Sequence, residues 1–166
     1  MNHLVGDNVG MIHLISGILA VILGGLVLFL QKGTKAHRQV GYLYVVSMIV
    51  LIVSSFGIYR LFGKFGLFHF FSLVSTFSLV MGMIPMLKKQ RTAKDYKTHF
   101  TRMYFSVVGL YAAFAGESFV RIPKLGTFWS VVAWSFVLVT VISIAIFIKK
   151  RKEWTDKFAR EAVRKH

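Results

Sequence analysis

Cysteine is absent from this sequence, which excludes disulfides, thiolate metal ligands and thiol catalysis together. Acidic residues are scarce, six in all, and only Glu117 falls inside an apolar run. Hydrolysis by paired carboxylates within a membrane is therefore excluded. Proline occurs twice; Pro85 lies near the end of its apolar run, and no run is interrupted in both halves as transporter repeats are. Phosphate-loop, dinucleotide-binding, nucleophile-elbow and HExxH patterns are all missing. No cleavable secretory leader is expected, since Met1–Met11 carries neither Lys nor Arg ahead of the first apolar stretch.

What remains is apolar and basic. Hydrophobic residues make up 55% of 166 and charged ones 16%, with a mean hydropathy of +0.63. That is more apolar surface than a soluble domain of this length hides, and the length itself suggests one domain. The net charge of +15 would suggest nucleic acid in a soluble chain. Here the basic residues fall between apolar runs, and membrane topology accounts for them. Spanning helices need about 20 apolar residues. The sequence predicts spans near Val9–Leu30, Val40–Tyr59, Gly66–Leu87, Met103–Val120 and Phe128–Ile148.

Orientation follows from where Lys and Arg collect. The connector at 32–38, the connector at 88–102 and the segment from Lys149 onward together hold seventeen of the 21 basic residues, and the alternate connectors hold four. The expectation is an all-α integral membrane protein of five transmembrane helices, with its N-terminus outside and its C-terminus in the cytoplasm. Residues 1–148 would form one transmembrane domain and 149–166 a basic amphipathic cytoplasmic tail. In that tail Trp154 and Phe158, one turn apart, would rest at the lipid headgroups.

Two helical hairpins, at about 9–59 and 66–120, repeat one another. Gly10 precedes His13 by three residues, as Gly66 precedes His69. Lys35 and His37 are followed by Tyr42, as Lys97 and His99 are followed by Tyr104. Each hairpin thus carries a histidine at both ends. If the four helices form a bundle, His13 can meet His69 near the outer face, and His37 can meet His99 near the inner face. An 18-residue helix rises about 27 Å, which would put the two sites roughly 20 Å apart across the bilayer. His3 and His166 are read as terminal bystanders.

Paired imidazoles on facing helices are the ligand set of low-spin haem b. Gly10 and Gly17 beside His13, Gly66 beside His69 and Gly41 beside His37 would leave room for a porphyrin; Met103 takes that place beside His99. Lys35, Arg38, Lys97 and Arg102 would receive propionates. Glu117, 18 residues beyond His99, would stand about 27 Å along the fourth helix, at the level of His13 and His69. His13, His69 and Glu117 would then form a zinc or copper site with an open position. Alternatively Glu117 pairs with Arg121 one turn later. Ser72, Ser75, Ser78 and Gly82 mark a small-residue packing face on the third span.

The segments from His37, Arg38 and Gly41 to Tyr44, and from His99 through Arg102 to Tyr104, resemble an uncharacterised family of predicted bacterial membrane proteins, domain of unknown function 2306. The likeness covers about residues 10–125, with Arg102 standing where the family has Trp. It implies a multi-pass protein of a bacterial cell membrane and supplies no activity. The histidine order is also similar in architecture to cytochrome b561 and related di-haem membrane cytochromes, although the spacings of 24, 32 and 30 residues are shorter.

Three functions follow as expectations. The first is a b-type haem protein moving electrons across the bilayer, a possible membrane oxidoreductase whose partners include quinone or a small redox protein as well as lipid. The second is a zinc or copper protein, and the third a scaffold or assembly factor without cofactor. The topology has its own test. A reporter fused after His166 should be active in the cytoplasm and one fused before Met1 outside; both ends on one side would contradict five spans.

Overall fold

The computed structural model describes residues 8–59, 63 and 65–163, with side chains as far as residue 150. The expectations for His3, His166, Arg60, Lys64 and the Trp154–Phe158 face lie outside those limits. Among the described residues there are five helices and no strand: α1 (Asn8–Phe29), α2 (Lys35–Ser55), α3 (Leu67–Leu87), α4 (Ala93–Phe119) and α5 (Phe128–Val163). Four of them, α1, α2, α3 and α5 over Phe128–Lys150, are long and apolar enough to cross a membrane. In α4 the first ten residues carry Lys94, Asp95, Lys97 and Arg102, which dilute its apolar stretch.

The helix ends are set by local chemistry. Gly33 takes a left-handed turn (φ 80°) after α1, and Lys32 Nζ donates to the carbonyls of Val27 and Leu28, at 2.8 Å each. Two carbonyls that the last turn leaves open are thereby satisfied. Thr34 then caps α2, accepting from the His37 N–H at 3.2 Å, so the helix starts at Lys35, five residues before the expected span. At α4 a full capping box forms. Thr92 Oγ1 accepts from the Asp95 N–H at 3.3 Å, and the Thr92 N–H donates to Asp95 Oδ2 at 2.9 Å. The helix begins ten residues earlier than the expected fourth span for this reason.

The chain divides into two compact units, Met1–Thr76 and Phe77–His166. In the first, α1 and α2 pack along each other. Small residues bring the backbones close: Cβ atoms at Gly17 and Gly41 would meet Leu51 Cδ1 at 3.4 Å and Val27 Cγ2 at 3.8 Å. Ala20, Tyr44 and Met48 are fully covered. In the second unit α4 packs on α5. Tyr104, buried, donates its hydroxyl to the Ser143 carbonyl at 2.8 Å, and its ring lies 5.3 Å from that of Phe147. Around both units large apolar side chains face outward, including Trp134, Phe29, Val53 and Tyr42, as in a protein whose surroundings are lipid.

One charged contact stands out at the base of α4. Lys88 Nζ donates to Asp95 Oδ1 at 2.5 Å, while both Thr92 groups hold Oδ2. The hydrogen bond from Lys88, with those from Thr92, holds the Asp95 carboxyl down at about 2, below its ordinary 3.8. A lowered carboxylate value stabilises the fold above the ordinary value, and that contribution is lost as pH falls through the lowered one. Thermal denaturation in detergent should therefore show Asp95→Asn below wild type by a constant margin from pH 7 to about 4, closing toward pH 2. Thr92→Ala should cost about 1 kcal/mol. A pH-independent margin for Asp95→Asn would contradict the ion pair.

Candidate functional site

In the first unit the start of α1, the end of α2 and the start of α3 come together. Three consecutive residues closing α2 do the joining. Ser54 meets His13, Ser55 Oγ lies 2.8 Å from Ser72 Oγ, and Phe56 lies 5.9 Å from the His69 ring. Gly57 permits the approach, since a Cβ there would stand 3.0 Å from Val9 Cγ1.

The hydrogen bonds fix which imidazole nitrogen carries the proton. His13 Nδ1 lies 3.1 Å from Ser54 Oγ, and that hydroxyl gives its one hydrogen to the Leu51 carbonyl at 2.9 Å. Ser54 must therefore accept, His13 carries Nδ1–H, and its Nε2 holds a lone pair. This is the tautomer of a metal-ligating histidine steadied by a neighbouring group. In the second unit His99 is alike: its Nδ1 lies 2.8 Å from the Gly82 carbonyl, an acceptor only, so it too carries its proton on Nδ1.

His69 is the opposite case. Gly66 caps α3 and its N–H donates to His69 Nδ1 at 3.2 Å, so the imidazole plays the part that Glu or Gln plays in a capping box. Its proton is then on Nε2, where a metal ligand needs a lone pair. That nitrogen is buried and has no hydrogen-bond partner among the described residues, and the residue is 5% exposed. Tyr59 stacks on the ring at 4.8 Å, and Phe65 lies at 5.1 Å.

The remaining predicted residues are placed as follows. His37 is half-buried at the third position of α2, its backbone N–H held by Thr34. Arg38 is exposed in the same turn. Arg102 rests its guanidinium 5.6 Å from the centre of the Phe77 ring, a cation–π contact. Glu117 is half-buried in the second unit, and Arg121 Nε donates at 3.2 Å to its backbone carbonyl. Among the described residues no three His, Asp or Glu side chains gather as a metal site. Gly17 and Gly41, expected to make room beside a porphyrin, are taken up by the packing of α1 on α2. Gly82 does for α4 what they do for α2: a Cβ would stand 2.7 Å from Met103 Sδ and 3.3 Å from Arg102 Cβ.

A family model described as predicted membrane protein (DUF2306) matches residues 10–151. No curated protein and no solved structure matches the chain.

The tautomers are measurable. Nitrogen-15 spectra of histidine-labelled protein at neutral pH should show His13 and His99 protonated at Nδ1 and His69 at Nε2. Gly82→Ala, which pushes Met103 and Arg102 away from α3, should disturb His99 and leave His13 unchanged. A His69 signal of the Nδ1–H form would contradict the capping assignment.

Proposed function

The chain belongs to this family of predicted membrane proteins, and we propose that it is a b-type haem protein that passes single electrons across the bilayer, with His13 an axial imidazole in the first unit and His99 one in the second. One observation carries the reading. Each of these histidines, one in each unit, commits Nδ1–H to a fixed protein acceptor, so that its lone pair is on Nε2, the nitrogen a metal would take. A bound haem supplies a one-electron iron couple. The chain's own residues do the positioning. Ser54, held by Leu51, sets the plane and tautomer of His13, and the Gly82 carbonyl does so for His99. His37 and Arg38 remain candidates at the start of α2. His69 is left out of the ligand set because its Nε2 bears a proton, and Glu117 because it joins no ligand group.

The same proposal includes a fifth crossing by the apolar part of α4, Met103–Phe119, which puts the N-terminus outside and the C-terminus in the cytoplasm under the seventeen-to-four basic bias. It also includes a redox partner, a quinone or a small protein.

Purification in mild detergent tests the haem. The wild type should be red with a Soret band, His13→Ala and His99→Ala should each lower haem content, and Glu117→Gln and His69→Phe should leave it in place. Colourless wild-type protein, or wild-type haem content in both alanine variants, would sink the proposal.

A further inference from the structure

His69 combines features that its capping role does not explain. Capping uses Nδ1 alone. Among the described residues the N–H on the other edge of the ring has no polar partner, and the rings of Phe56, Tyr59 and Phe65 lie at 5.9, 4.8 and 5.1 Å from that of His69. Turning the ring over would put a C–H against the Gly66 N–H and lose the cap, so the donor is held where it is. An unsatisfied buried donor costs about 1–3 kcal/mol, and folded proteins keep few of them. A metal is disfavoured by the proton on Nε2 and by the lack of a gathered ligand set among the described residues.

What would satisfy the site is an uncharged acceptor carried on a flat ring. A neutral N–H in apolar surroundings pairs with a carbonyl oxygen, and aromatic neighbours favour a planar partner in offset stacking. Access is through the cover itself. Tyr59 and Phe65 are 43% and 53% exposed, so the two rings over His69 are surface groups of the α2–α3 connector. The site also sits where α3 begins, at an end of an apolar helix that is long enough to span.

We propose that His69 Nε2–H is the hydrogen-bond donor to a carbonyl of a quinone-class ligand, whose ring stacks among Phe56, Tyr59 and Phe65. The ligand's role as electron partner rests on the haem reading; its binding does not. A phospholipid ester also offers a carbonyl, but it lacks the flat ring that three aromatic neighbours select.

The test uses full-length protein in nanodiscs of ether-linked lipid, which has no ester carbonyl, with menadione as probe. Saturable binding is expected, with the carbonyl stretch of carbonyl-labelled menadione shifted to lower frequency and the His69 Nε2–H signal moved downfield. His69→Phe, which keeps the ring and removes the donor, should weaken binding about tenfold, as loss of a hydrogen bond worth about 1.4 kcal/mol would. His69→Glu, which keeps the cap acceptor without the donor, should do the same, and the wild-type spectra stand even if a variant does not fold. No saturable binding, equal binding by folded His69→Phe, or an unmoved His69 signal would overturn the proposal. So would a His69 signal that moves on changing to ester-linked lipid without menadione, because the acceptor would then be lipid. Haem content measured on the same samples separates the two readings. Haem-free protein that binds menadione through His69 removes only the haem reading, and haem-loaded protein that does not bind it removes only this one.

Discussion

Among the described residues, the end of α1, the start of α2 and both ends of α3 and α4 leave backbone groups that the chain covers from its own side chains. A peptide N–H or C=O left bare in an apolar environment costs several kcal/mol. Lys32 covers the last carbonyls of α1, Arg91 reaches the Met86 carbonyl at the end of α3, and Arg121 reaches that of Glu117. Thr34, His69 and the Thr92–Asp95 box cover the opening N–H groups of α2, α3 and α4. Basic residues that look from composition like topological markers alone thus also close helices. His69 is drawn into the same requirement, and its cap decides which of its nitrogens carries the proton.

Much of the frame was legible in the sequence. Apolar runs and basic connectors announced the membrane helices, and α1 and α3 fall within a residue or so of their expected bounds. The starts of α2 and α4 were missed, because Lys35, Arg38, Lys94 and Lys97 read as loop while Thr34 and the Thr92–Asp95 pair act as caps. That spacing, Thr with Asp three residues later, was visible and is the signal that would have corrected α4. The division into two units, with α3 running from one into the other, had no sequence signature.

Less of the site was legible. The histidines could be found by position, but a ring's tautomer depends on what lies across from it: Ser54 for His13, a bare carbonyl for His99, its own helix cap for His69. Those partners belong to tertiary contacts or to cap geometry, and no spacing reports them. The glycines illustrate the same limit. A Gly one turn from a His reads equally as space for a cofactor or as a place where helices touch, and at Gly17 and Gly41 it is the second. Phe56, Tyr59 and Phe65 were indistinguishable in advance from the other aromatic residues of an aromatic-rich membrane chain.

The length of α5 has a consequence of its own. Its 36 residues amount to about 54 Å of unbroken helix, against a hydrocarbon core of about 30 Å. The segment past Lys150 is a continuation of the same rod and not a hinged appendage. A continuous helix passes rotation and tilt along its axis. The same helix presents Ser143 and Phe147, the residues against which Tyr104 is seated. One unbroken rod therefore carries both the basic segment and the residues that seat Tyr104.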